Sequence, residues 1–198
     1  AGTSAMAMRS TIVSYGDPIW FKTTAMYADM GRYYNMASWG TAGSTDSFLV
    51  DAQAAMEAYE GISIGVLSKN TVVHDVGYLA HGELYDPRML VLTDMMIGRA
   101  RHLLRPVDLS ETALAEDVID EVARGEGLYI AHDHTSENFR AALWLPPKYI
   151  NRRYITDVME GEFPELLKRE VNAILESHEP PPLPGDLEKQ IDEYVESV

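Results

Sequence analysis

Thr71-Val72-Val73-His74-Asp75-Val76-Gly77-Tyr78 is the stretch on which the fold reading turns. The β-branched run before His74 predicts a short buried strand, and Asp75-Val76-Gly77 ends it. Upstream, Asn35-Met36-Ala37-Ser38-Trp39-Gly40 predicts a second short buried strand, closed by Gly40 and Gly43. Between the two, Phe48, Leu49, Ala52, Ala55, Met56 and Tyr59 recur at steps of one, three and four, one face of a helix. That helix should start at Thr45 or Asp46, and the apolar segment after Gly61 to Leu67 can extend it with a kink. Further out, Asp17-Pro18 opens a helix running to about Tyr34, with Asp17 as N-cap. Pro87 opens another, bearing Met89, Leu90, Leu92, Met96 and Ile97. It closes in Arg99, Arg101 and Arg105, the favourable sign at a helix C-terminus.

Helix and strand thus alternate at a spacing of about 35 residues, the rhythm of α/β units around a parallel sheet. An eight-fold α/β barrel takes roughly 200 residues or more, and the rhythm stops near residue 107. The expected fold is α/β, a partial (β/α)8 TIM barrel over 1–107, followed by an acidic, mostly helical extension over 108–198. In that extension Ser110 should cap a helix bearing Leu114, Val118, Ile119 and Val122, stopped by Gly125. Pro164 starts another helix, Pro180-Pro-Pro-Leu-Pro-Gly185 is a stiff extended linker, and Asp186 caps a last helix.

Charge separates the two parts. Residues 1–107 hold 10 acids and 8 bases, whereas 108–198 hold 21 acids and 8 bases. The net charge of −15 argues against a nucleic-acid binder and against docking on an anionic membrane. No uncharged apolar run reaches 18 residues, so no spanning helix is expected. Zero cysteines exclude disulfides, thiolate-held metals and a cysteine nucleophile, and they fit a reducing, cytoplasmic setting. Ala1-Gly2-Thr3-Ser4-Ala5-Met6 has neither the basic nor the apolar stretch of a signal peptide. The missing initiator Met suggests a processed or truncated start.

In parallel α/β folds the chemistry sits at the carboxyl ends of strands. Two such ends are visible, Trp39–Asp46 and His74–Tyr78. His74 would emerge at the rim as acid, base, electrostatic stabiliser or ligand, or rest in a structural turn with Asp75. Asp46 would face a cationic substrate or cap the following helix. Trp39, Phe48, Tyr78 and Tyr85 lie near these ends, and such rings either attract a quaternary ammonium or fill the barrel mouth. His132-Asp133-His134, with His74, Asp75 and His81, raises a metal-dependent hydrolase. The blander reading of that triplet is a turn in which Asp133 or Thr135 bonds the backbone.

Several strings together resemble the trimethylamine methyltransferase family, including its non-pyrrolysine, glycine betaine-type branch. They are Ala7-Met8-Arg9, Arg32-Tyr33-Tyr34, Ala42-Gly43-Ser44-Thr45-Asp46-Ser47 and Asp51-Ala52-Gln53-Ala54-Ala55. His74-Asp75-Val76-Gly77-Tyr78-Leu79, the most specific, follows with Leu90-Val91-Leu92-Thr93-Asp94 and Leu114-Ala115-Glu116-Asp117-Val118-Ile119. His134-Thr135, Phe139-Arg140 and Pro180-Pro-Pro-Leu183 complete the order. The resemblance implies the C-terminal portion of a longer barrel enzyme. Such an enzyme moves a methyl group from a methylated amine to the Co(I) of a corrinoid held by a separate partner protein, as in methanogenesis. It implies no cofactor or metal bound by this chain itself, His74 as the catalytic residue, Asp46 and Asp75 on the substrate cation, and Trp39 and Tyr78 in its cage. Ser68-Lys69-Asn70, Asp94-Met95 and Ser44 depart from the usual pattern, and pyrrolysine is absent, which favours a quaternary amine over trimethylamine. The remaining alternatives are the hydrolase above and a non-catalytic quaternary-amine-binding module. Exposed sheet edges would make a partial barrel self-associate as a homo-oligomer.

Overall fold

The computed structural model describes residues 5–152, 154 and 162–197. A short antiparallel pair, β1 (Ala5–Met6) and β2 (Val13–Ser14), leads into helix α1 (Pro18–Tyr33). Strand β3 (Trp39–Thr41) is followed by helix α2 (Ala52–Ser68) and strand β4 (Val72–His74). β3 and β4 pair in parallel, with Trp39 opposite Val72, Gly40 opposite Val73 and Thr41 opposite His74. A hairpin of β5 (Tyr78–Leu79) and β6 (Leu84–Tyr85) precedes helix α3 (Pro87–Leu103). The helices α4 (Glu111–Leu114), α5 (Glu116–Ala123), α6 (Asp133–Ala142), α7 (Phe163–Ser177) and α8 (Leu187–Glu196) follow.

Three helices start the same way. Asp17 accepts from Ile19 N–H, Asp51 from Ala54 N–H and Asp86 from Arg88 N–H, each meeting a donor that a first turn leaves free. α1 packs on α2, α2 on α3, and α3 on α7. The α2 face is built of small residues, Ala54, Ala58, Gly61 and Gly65, so its neighbours come close. A Cβ at Gly61 would stand 2.8 Å from the Phe21 ring of α1. Met89, Leu92, Met96 and Ala100 of α3 complete the core, together with Tyr149 and with Leu167 of α7. The acidic second part is therefore anchored into the same core as the α/β part.

Several sequence expectations need correction. The first strand begins only at Trp39, and neither strand is buried: Trp39 is 71% exposed, Val72 45% and Val73 39%. A lone two-stranded pair has no neighbouring strands to cover it. α2 starts at Ala52, so Phe48 and Leu49 lie in the preceding loop and are exposed. The helix expected after Ser110 is broken at Ala115, whose left-handed φ of 48° separates α4 from α5. Asp186 precedes α8 but makes no capping hydrogen bond through its side chain. The three small sheets contain no closed barrel among the described residues. There, too, no helix is long and apolar enough to cross a membrane.

Candidate functional site

The parallel register puts Thr41 beside His74 at the carboxyl ends of β3 and β4. Asp75 then turns into the left-handed region, φ 67°, a costly conformation for a residue with a Cβ. That turn brings its carboxylate back onto the imidazole: His74 Nδ1 and Asp75 Oδ1 stand 2.7 Å apart, an ion pair when the imidazole is protonated. Thr41 Oγ1 stands 3.5 Å from His74 Nε2 and 3.4 Å from Asp75 Oδ2, at the long end of hydrogen bonding. The Trp39 indole meets the imidazole edge-on, ring centroids 5.3 Å apart. The His74 side chain is 40% exposed and that of Asp75 25%, so the pair opens to the outside.

The loops leaving both strands are laced together by backbone hydrogen bonds. Ala42 N–H donates to His74 C=O, Gly77 N–H to Gly43 C=O and Thr45 N–H to Tyr78 C=O. Gly43 and Gly77, at φ 78° and 91°, supply backbone turns that other residues rarely adopt. A Cβ on either would also press within 3.2–3.4 Å of the facing chain.

Asp46 does not cap α2. Its Oδ1 accepts from Tyr15 N–H at 2.7 Å and faces His81 Nδ1 at 3.2 Å, while the Ser14 hydroxyl donates to Oδ2. Burial pushes the Asp46 carboxyl up, but the hydrogen bonds from Ser14, His81 and the backbone of Tyr15 and Gly16 outweigh it, leaving it below its ordinary value. Beneath this loop lies Glu57, 8% exposed, which the sequence reading missed. It accepts from the Thr45 hydroxyl at 2.6 Å, Asp46 N–H at 2.8 Å and Gln53 Nε2 at 2.9 Å. Its signal was a charge at helical spacing within the small-residue stripe of Ala54, Ala58 and Gly61.

Of the expected site residues, Trp39, His74 and Asp75 come together. Tyr78 instead pairs across the hairpin with Tyr85, centroids 6.2 Å apart. Phe48 stands edge-on to His81, at 5.8 Å. The histidines of the hydrolase alternative are dispersed over other duties. His132 Nδ1 accepts His134 N–H at the start of α6, and His134 Nε2 bonds Thr112 C=O at 2.8 Å. Thr135 donates to Tyr129 C=O, the backbone bond expected of it, but the triplet opens helix α6 with His132 as N-cap and does not form a turn. Among the described residues, no group of three or more His, Asp or Glu converges to hold a metal.

A family model described as trimethylamine methyltransferase matches residues 1–197, essentially the whole chain. The chain belongs to the trimethylamine methyltransferase family. It is 26% identical, over all its length, to a trimethylamine methyltransferase of Desulfitobacterium hafniense, of which it covers 40%. It is also 26% identical over 98% of its length to a glycine betaine methyltransferase from another strain of that species, covering 41% of it. A trimethylamine methyltransferase of Methanosarcina mazei is 22% identical, with 40% covered. The chain thus spans about two-fifths of the length of these curated relatives. The His74–Asp75 turn combines a left-handed backbone, open access and an aromatic neighbour at the carboxyl ends of two parallel strands.

Proposed function

We propose that this chain forms part of a methyltransferase, built on a (β/α)8 barrel, that takes a methyl group from a quaternary amine. The acceptor is the Co(I) of a corrinoid carried by a partner protein. The observation that carries the reading is the His74–Asp75 pair beside an exposed Trp39, at the carboxyl ends of two parallel strands. A carboxylate and an indole suit an ammonium that has no N–H to donate. The open side of the pair suits a methyl acceptor that arrives from outside.

The chemistry asks little of the protein in proton transfer. The C–N bond breaks with its electron pair staying on nitrogen, so the leaving group is a neutral tertiary amine and no acid is needed. What remains is orientation. Positive charge fades from nitrogen as the methyl group leaves, so a bare carboxylate would hold the substrate better than the transition state. Asp75 Oδ1 lies 2.7 Å from His74 Nδ1, so an imidazolium there would offset the carboxylate's charge. It can therefore align the cation without trapping it, and His74 fixes where the carboxylate points.

The test follows the Co(I) to methyl-Co(III) absorbance change when the full-length protein meets reduced corrinoid protein and separate tertiary and quaternary amines. We expect methylation with a quaternary amine and a fall of about 100-fold in kcat/KM for His74→Ala in a folded protein. Activity that survives the substitution removes His74 from the reaction. Amine binding without turnover makes the protein a binding module instead, and no response to any amine overturns the methyl-transfer reading.

A further inference from the structure

We propose that Asp46 and His81 form a latch that sets the two rim loops, with Glu57 as its base. All three are positioning residues. The inference deepens the reading of His74 and Asp75 given above, and rests on it for its kinetic effect only.

Both Asp46 oxygens are already engaged, by Ser14, Tyr15 and His81, and its side chain is 19% exposed. One carboxylate therefore ties three separate segments, the end of β2, the loop after β3 and the turn before β6. That turn is strained: Ala80, His81 and Gly82 have consecutive φ values of 49°, 58° and 91°. A left-handed run of this kind does not persist by itself in L-residues. It is held by Ala80 N–H on Ser47 C=O at 2.9 Å, by His81 N–H on Thr45 C=O at 3.2 Å and by the His81 ring on Asp46. Glu57 fixes the other side of the latch, because its Oε2 accepts both the Thr45 hydroxyl and the Asp46 N–H. The segment so pinned begins at Asp75, whose own left-handed turn brings its carboxylate to 2.7 Å from the His74 ring. Holding the far end of the segment keeps its first residue in place.

The rival role for Asp46 is direct contact with the substrate cation, and the two roles part on one substitution. A latch needs an acceptor, which an amide oxygen supplies; a cation ligand needs the charge. In the full-length protein, Asp46→Asn should keep KM for the amine within about twofold and most of kcat, whereas Asp46→Ala and His81→Ala should each lower kcat about tenfold. Amide hydrogen exchange should quicken about tenfold in residues 43–47 and 75–82 for Asp46→Ala and His81→Ala, with little change elsewhere. The double variant should add little to either. His81→Asn tests the same link where Ala fails to fold, because Asn tolerates the left-handed backbone. A tenfold rise in KM for Asp46→Asn with unaltered exchange overturns the latch in favour of a substrate ligand. Exchange quickened throughout the chain overturns it in favour of general stability. The exchange and double-variant results need no methyl transfer, so a failed latch and a failed assignment of the reaction give different outcomes.

Discussion

Gly16 lacks a side chain for a reason that lies on another element. A Cβ there would stand 2.3 Å from Cδ and Oε2 of Glu57. Glu57 cannot swing away cheaply, because it is buried and three donors point at it. Gly16→Ala should therefore displace the carboxylate and leave buried donors unpaired, at about 1–3 kcal/mol by urea unfolding. In a Glu57→Ala background the same change should cost under about 0.5 kcal/mol, since the obstacle is gone. Equal costs in both backgrounds would place the strain elsewhere. At this scale the sequence was readable where residues are adjacent. His74 and Asp75 were paired on sight, whereas Asp46 and His81 lie 35 positions apart and meet only through a left-handed turn. That turn contains an Ala and a His in conformations that neither residue announces.

Helix starts were legible where Asp precedes Pro and misleading where apolar residues ran ahead of the cap. Asp17-Pro18 placed α1 correctly, and Pro87 placed α3 with Asp86 before it. Phe48 and Leu49 extended the apolar pattern of α2 backwards past Asp51, though they are exposed loop residues. Periodicity cannot separate the two cases, because exposure is decided by what packs opposite. Asp86 gives an element-scale prediction. Hydrogen bonding from the Arg88 side chain, aided by its N–H and charge, outweighs burial and holds the Asp86 carboxyl below its ordinary value. A carboxyl lowered in the folded state stabilises above its unfolded value near pH 4, and that contribution is lost as pH falls through the folded value. Asp86→Asn keeps a good cap but no longer titrates. The variant should be less stable than the parent at pH 7, and the gap should close toward pH 2. A gap independent of pH, measured by urea unfolding across that range, would show that the Asp86 charge is not what stabilises the helix start.

At the scale of the whole molecule, the uncovered part of the sheet sets the behaviour of the chain on its own. Parallel strands are ordinarily covered on both faces, and sheets of two strands are marginal. Val72 and Val73 point to opposite faces of β4, and both are exposed, as is Trp39 on its partner strand. The helix, strand, helix order that was legible in the sequence is thus present, and Gly40 and Val73 face helices α1 and α2, but the Trp39 and Val72 face predicted as buried stands open. In the barrel proposed above, further strands and helices would take those positions, which is why strand identity could be read locally while strand burial could not. The 198-residue chain by itself should therefore self-associate through β3 and β4, against the repulsion of its net charge of −15. Sedimentation velocity should find dimers or larger species that grow as salt is raised, since screening removes the repulsion and leaves apolar contact. Val72→Lys places a charge beside the exposed Trp39, on the open face of the pair, and should shift the association about tenfold toward monomer. Association that weakens with salt and ignores Val72→Lys would mean that charged faces, not the open strands, hold the copies together.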